Sequence, residues 1–415
     1  MGRSRVVCAC FCALALTHAS TSRAQSHEPL DYTTKRTEIA GFPIIAGNSD
    51  TGLQLGGVGQ LTHFQDDIRP YRWRLDLVLS ASMLDGPNGF EIAQHNYVAG
   101  FELAGLDEGR IRSSSQLRFR KTINQFYFGI GNATSTELPP VTTGDPARHF
   151  RSITSELEAR QQTRVKVVSP IDAMITTSYR YVVPETYPGS KLEADAPSIQ
   201  GVRPLSMITL GVGAIYDTRD NEFFPQSGMF HQVGPKAIVG FPSDAGIGYL
   251  QASGFFAGYV PVFGPFIYAA RVVLDAQLGN VPYFDMYRAG PFEQYEMIGG
   301  STGIRGVPIG RFLGQMKMLA NQELRAMLVP FRLFKQNLAF GCNALFDIGR
   351  LWTDEQFSPT KDGHGVGLKW GAGGGLYLRW GQAAIFRLEV AYSPSAADTS
   401  PGLPIGVYIN DGVSF

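Results

Sequence analysis

The chain has 415 residues, with 36 basic and 36 acidic side chains, 48 glycines, 27 phenylalanines and 17 tyrosines. So even a charge balance excludes the basic excess of a nucleic-acid binder, and no nucleic-acid partner is expected. Beyond the first two dozen residues no apolar run reaches the roughly 18 to 20 residues of a spanning helix, which excludes helical membrane spans.

The chain opens with Arg3 and Arg5, the apolar run VVCACFCALAL and then Ser22-Arg23-Ala24. That order predicts a secretory signal peptide over residues 1–24, too short in its apolar part to span a membrane. Cleavage takes three of the 36 basic residues and none of the acidic ones, leaving 33 against 36. Cys8, Cys10 and Cys12 leave with it, so Cys342 is alone and neither an intrachain disulfide nor a cysteine metal site can form. An exported chain of this length without disulfides points to a bacterial envelope. Residues 25–38 read as a short periplasmic segment. Residues 39–415, with no linker, repeat or break in composition, read as one domain.

Within that domain apolar residues recur with period two. Trp73, Leu75, Leu77 and Leu79 oppose Arg72, Arg74, Asp76 and Ser80, and Phe266 to Leu278 alternate with Arg271, Asp275 and Gln277. Successive side chains of a strand point to opposite faces, so these segments are amphipathic as strands. A soluble sandwich alternates too, but its strands average about 5 or 6 residues, whereas a tilted membrane strand needs roughly 9 to 11. Strands are predicted at 39–48, 52–64, 69–83, 89–104, 109–121, 147–162, 170–184, 205–217, 228–240, 247–260, 264–279, 316–328, 336–350, 364–380, 383–393 and 404–414. Their even number fits an all-β, 16-stranded antiparallel transmembrane barrel. Connections after even-numbered strands are mostly short and several after odd-numbered ones are long, as between periplasmic turns and outer loops. Phe415 is in phase with Ile405, Val407, Ile409 and Val413, which puts it on the outward face as a C-terminal assembly signal.

The longest connection, between strands 11 and 12, contains GGSTGIRGVPIGRF over residues 299–312. Gly299 to Gly303 match the G-x-S-x-G pattern of a nucleophile elbow. Such an elbow needs a helix after its serine and a histidine beside it. Gly306, Pro308 and Gly310 forbid the helix, and no histidine lies in the loop. No catalytic residue and no cofactor or metal is therefore assigned, and an outer-membrane hydrolase built on Ser301 is the remotest of the readings.

Other residues of the same stretch carry a different pattern. Gly299-Gly300-Ser301 followed by Ile304-Arg305-Gly306-Val307 resembles the sixth-loop signature of the BamA/TamA-like outer-membrane assembly and translocation superfamily, the bacterial surface antigens. Val307 stands where that family has an aromatic residue. Asp217-Thr218-Arg219-Asp220-Asn221 with Pro225 and Gly228 resembles its D-x-R-D…P-x-x-G periplasmic turn. Asn321 to Arg325 is similar to its E-x-R strand, Leu345 to Gly349 to its F-x-D-x-G strand, and Phe128 to Asn132 to a G-x-G-N loop. The resemblance implies a loop folded into the lumen, anchored by Gly299, Gly300, Ile304, Arg305 and Gly306, with Arg305 paired to Asp347 and within reach of Glu323. A guanidinium fork suits such a bidentate contact. From the residues alone, Glu323 and Arg325 equally suit a watery lumen wall.

The resemblance further implies insertion or translocation of polypeptide or lipid at the outer membrane of a Gram-negative cell, through a seam between first and last strands. Pro43 and Pro404 suit edge strands. Outer-membrane lipid, unfolded outer-membrane clients and a separate partner supplying periplasmic domains are the implied partners. A passive pore or structural surface antigen is the alternative class.

Overall fold

The computed structural model describes residues 35–415 apart from 49–51, 66–67, 69–70, 87–88, 140–143, 223, 334–335, 381–383, 397–403 and 412. The expected signal peptide and residues 25–34 lie outside the described residues.

Among the described residues sixteen strands form one closed antiparallel barrel in chain order. They are β1 (Arg36–Asn48), β2 (Gly52–Phe64), β3 (Trp73–Gly86), β4 (Gly89–Leu106), β5 (Ile111–Phe126), β6 (Arg151–Val168), β7 (Ile171–Thr186) and β8 (Leu205–Asp217). The ring continues with β9 (Gly228–Phe241), β10 (Gly248–Phe263), β11 (Phe266–Asn280), β12 (Met316–Leu333), β13 (Gln336–Trp352), β14 (Lys369–Trp380), β15 (Ala384–Tyr392) and β16 (Ile405–Asp411). Period-two patterning orients each strand. Leu75, Leu77 and Leu79 stand exposed on the outside, while Arg74 reaches Asp76 on the inside at 2.8 Å. One rim carries tight turns, at 107–110, 169–170 and 264–265. The other carries the long loops 127–150, 187–204, 281–315 and 353–368. By that asymmetry the first rim is periplasmic.

The two expected strands that fall furthest short of their patterns are the fourteenth and the sixteenth. The fourteenth was expected from 364 but begins at Lys369. Gly363, Gly365 and Gly367 take φ of 79°, 73° and 59°, a left-handed run that no strand accommodates. The sixteenth was expected to run to 414 but ends at Asp411. Beyond it Val413 and Phe415 pack on apolar side chains inside the barrel, so the outward phase expected for Phe415 is wrong. The Phe415 ring lies beneath the guanidinium groups of Arg271 and Arg325, 4.9 and 4.7 Å from its centroid. That stacking and the Ser414 hydroxyl, which Arg305 and Arg387 both donate to, draw the segment inward.

Closure of the ring is uneven. β1 pairs with β2 along its whole length, Arg36↔Phe64 to Asn48↔Gly52. Against β16 it registers, among the described residues, at Gly47↔Ile409 and Asn48↔Tyr408. Since β16 stops at Asp411 and the chain turns into the lumen, the β1 edge from Arg36 to Ala46 faces no barrel strand among the described residues.

Candidate functional site

Loop 281–315 descends from the outer rim into the lumen, and most of its residues are buried. It is fastened at two levels. At the upper one, Pro282 starts a single 3-10 turn, Tyr283–Asp285, that aims Asp285 at the wall. Arg180 of β7 grips that carboxylate through both terminal nitrogens, Nη1 at 2.8 Å, and Tyr249 of β10 donates to it at 2.8 Å. Burial pushes the Asp285 carboxyl up, but Arg180 outweighs it, and the group lies below the usual carboxylate range. A two-residue ladder, Arg288–Ala289 against Tyr295–Glu296, closes the hairpin that follows. Arg288 reaches Glu156 of β6 at 2.8 Å, and Lys236 of β9 donates to the Gly290 carbonyl at 2.5 Å.

The lower level is the stretch from Gly299 to Phe312. Gly299, Gly300 and Gly306 have φ of 121°, 80° and 94°, so the chain reverses within a few residues, and Gly300 N donates to the Val307 carbonyl at 2.9 Å. The reversal puts Ile304 and Val307 into the apolar interior and Arg305 into a wholly buried polar cluster. Arg305 Nε and Nη2 donate to Asp347 of β13, both at 2.8 Å, and its backbone N–H donates to the same carboxylate at 3.0 Å. Nη1 reaches Glu323 of β12 at 2.5 Å, with Glu389 of β15 and Ser414 each at 3.0 Å. One side chain thus ties the loop to three strands and to the segment after the last. Bare backbone makes room for it: a Cβ on Gly371 of β14 would stand 2.0 Å from the Arg305 carbonyl.

The surrounding groups are paired in turn. Asn321 donates to Asp347 at 2.7 Å and to the Gly303 carbonyl at 2.9 Å, while Arg271 donates to Asn321 and Thr302. Arg325 Nε and Tyr377 OH both reach the second oxygen of Glu323, at 2.7 and 3.1 Å. Buried charges survive only when paired and hydrogen-bonded, and here the carboxylates of Asp347, Glu323 and Glu389 share the guanidinium groups of Arg305, Arg325 and Arg387.

Ser301 lies apart from this cluster. It borders a polar cavity of about 250 Å³ with Thr302, Arg118, Arg120, Arg288 and Glu296, a set without an imidazole. The turn after β8 is held by its own polar groups and by contacts to the wall, with Asp217 3.8 Å from Arg164 of β6 and Phe224 edge-on to Tyr377 of β14. Arg219 folds back on Asp217, both guanidinium bonds at 2.9 Å, and Asp220 accepts from the backbone N–H of Gln226 and Ser227 at 2.9 and 3.1 Å. Pro225 is buried there, and Gly228 has φ 100° with its Cβ position 2.2 Å from the Thr218 carbonyl. The Phe128–Asn132 loop closes the outer rim: Gly131 N donates to Leu313 O at 2.8 Å, and Asn132 to Gly367 O at 2.8 Å. Sequence reasoning missed Glu389, Ser414 and the whole upper anchor. Glu389 was visible as a polar-face residue, but nothing local links Arg180 to Asp285.

A sixteen-stranded ring, a loop folded inward on an arginine and acceptors from E-x-R and F-x-D-x-G strands are now in place. The Omp85 superfamily domain matches residues 149–401, more than half of the chain. The chain belongs to the Omp85 superfamily. It is a bacterial outer-membrane barrel of the insertion and translocation class. Among solved structures, BamA from Haemophilus ducreyi lacking POTRA domains 1–3 is similar at TM-score 0.56 and 14% identity, over 91% of this chain and 70% of that one. CdiB from Escherichia coli matches at TM-score 0.56 and 15% identity, and CdiB from Acinetobacter baumannii at 0.52 and 12%. Each again covers 91% of this chain, with 62% and 59% of their own lengths, so the two CdiB chains extend well beyond the shared barrel. At these identities the likeness is one of fold. No curated protein matches the sequence.

Proposed function

We propose that this Omp85 barrel inserts or translocates unfolded outer-membrane polypeptide through the β1–β16 seam, with loop 281–315 as the internal brace that keeps the rest of the ring rigid. The observation that carries this reading is the seam: among the described residues two registered pairs close it, and the β1 edge from Arg36 to Ala46 faces no strand there, which leaves it open to another. An unpaired edge is a template for strand addition, and a polypeptide adding there gains a full ladder of backbone hydrogen bonds. Arg305, with Gly299, Gly300, Ile304 and Gly306 shaping its loop, acts as the anchor on Asp347 and Glu323. The Asp217–Gly228 turn holds the periplasmic rim, and Phe415 serves in the barrel's own assembly. The chemistry is mechanical, with no bond made or broken, so the protein acts as an assembly factor and not as an enzyme. Clients are unfolded outer-membrane chains in contact with surrounding lipid, and a separate periplasmic partner delivers them.

The test is a seam lock. A disulfide between Gly47→Cys and Ile409→Cys, formed in a Cys342→Ser background, is expected to lower the level of client barrels in the outer membrane, with recovery on reduction. Undiminished client levels with the lock fully formed would sink the seam as the working site.

A further inference from the structure

The lipid-facing surface carries a polar patch that the seam and the loop leave unused. On β5, β6 and β7 the outward positions include Ser113, Ser115, Gln161, Thr163 and Thr177, brought side by side by the registers Ser113↔Thr163, Ser115↔Gln161 and Gln161↔Thr177. Gln161 donates to Ser113 Oγ at 2.7 Å, and Ser115 donates to Gln161 Oε1. Thr177 is exposed, and its hydroxyl has no partner among the described residues.

The patch lies within the apolar belt and not at its rim. Thr177 is registered with Leu210 of β8, three outward positions above Tyr216, which pairs with Ile171 at the periplasmic end. Along β6 the outward sequence runs Leu157, Ala159, Gln161, Thr163, Val165, Val167, so apolar residues flank it on both sides. The neighbouring outward run on β8 is Ile208, Leu210, Val212 and Ala214. Hydrocarbon offers no hydrogen bonds; Gln161, Ser113 and Ser115 satisfy one another, but the Thr177 hydroxyl at this depth is costly unless another protein surface covers it.

Shape adds to chemistry. Ala99, Ser115, Ala159 and Thr177 floor a groove of about 690 Å³ between a Leu75–Phe101 ridge and a Tyr179–Ile208 ridge. Small residues let backbones approach closely in a bilayer, and hydroxyl or amide groups then bond across.

We propose that this groove is a self-association surface, occupied by a second copy of the chain in the plane of the membrane. The outward-facing polar side chains in it, Ser115, Gln161 and Thr177, are uncharged, and each hydroxyl or amide both donates and accepts; Arg160, which also lines the groove, spends its guanidinium on Gln116 at 2.7 Å. Such a face is complementary to itself about a two-fold axis, with the ridge of one copy entering the groove of the other. It also lies on the β3–β8 wall and includes no residue of β1 or β16, so pairing leaves the seam free.

The test uses the full-length chain in lipid nanodiscs or native membranes, with Cys342→Ser as background. Thr177→Cys is treated with a short bismaleimide and compared with Leu388→Cys, an outward residue of β15 on the opposite wall. A dimer band several-fold stronger at position 177 supports the interface, and equal or absent bands at the two positions overturn it. Gln161→Leu is then expected to weaken dimerisation roughly tenfold, with heat-modifiable migration unchanged. Should that variant fold poorly, Thr177→Val carries the same expectation. A dimer fraction unaltered in a folded variant, or a monomer coated with lipid alone, also overturns the proposal. None of these readouts involves client insertion, so the seam and this surface stand or fall separately.

Discussion

The β12–β13 wall and the β1–β16 seam are both antiparallel strand pairs in one ring, yet they are built in opposite ways. The wall is registered from Met316↔Trp352 to Leu333↔Gln336, and its inner face supplies Asn321, Glu323, Arg325 and Asp347 to the Arg305 cluster. The seam has two registered pairs among the described residues, and the segment after β16 reaches that same cluster through Ser414. Buried charge thus anchors the wall directly, while the seam side meets the same cluster through Glu389 of β15 and the segment that follows β16.

The sharpest way to break this contrast is Arg305→Ala. It would leave Asp347, Glu323 and Glu389 buried without their shared cation, and losing one partner of a buried ion pair costs about 3–5 kcal/mol. The expected result is a barrel that unfolds at lower urea and loses its heat-modifiable migration. Unchanged behaviour on both counts would remove the anchoring role. Next comes Leu319→Ala on the inner face of β12, a side chain only 2% exposed, expected to cost about 2–5 kcal/mol in the same assay.

A smaller effect is expected with pH. The Asp285 carboxyl is held below its ordinary value in the folded chain, so its contribution is complete above the unfolded carboxylate value and is lost as pH falls through the depressed one. Acid should therefore loosen the upper half of the loop, read as protease cleavage within 281–297. Cleavage with the same pH profile in Arg180→Met would show that this pair does not govern it. The smallest change should come from Ile409→Ala in the seam, within about 0.5 kcal/mol, as for a lightly packed surface site. A loss equal to that of Leu319→Ala would erase the distinction between wall and seam.

The strands were legible because each carries its own alternation: β8 starts at Leu205 and ends at Asp217, as its pattern predicts. Misread were segments whose alternation persists while something nonlocal or conformational overrides it. Val366 and Leu368 keep the period, but three left-handed glycines interrupt the strand. Val413 and Phe415 keep it too, but arginines on β11 and β12 capture the ring. Of the site, the Arg305–Asp347 contact could be anticipated from a polar-face aspartate and the family pattern. Arg180 and Asp285, 105 positions apart, have no signature, because their meeting depends on how far a loop sinks into the lumen.

Arg305 also imposes an order in time. Its acceptors arrive with β12, β13, β15 and finally Ser414, 109 positions downstream. A chain whose last strand has not yet joined the ring therefore holds this guanidinium incompletely paired, and its loop is correspondingly loose. The cluster is complete only once the segment after β16 is in place, and pulse-labelled chains are expected to gain full protease resistance across 299–312 no earlier than β16 docks.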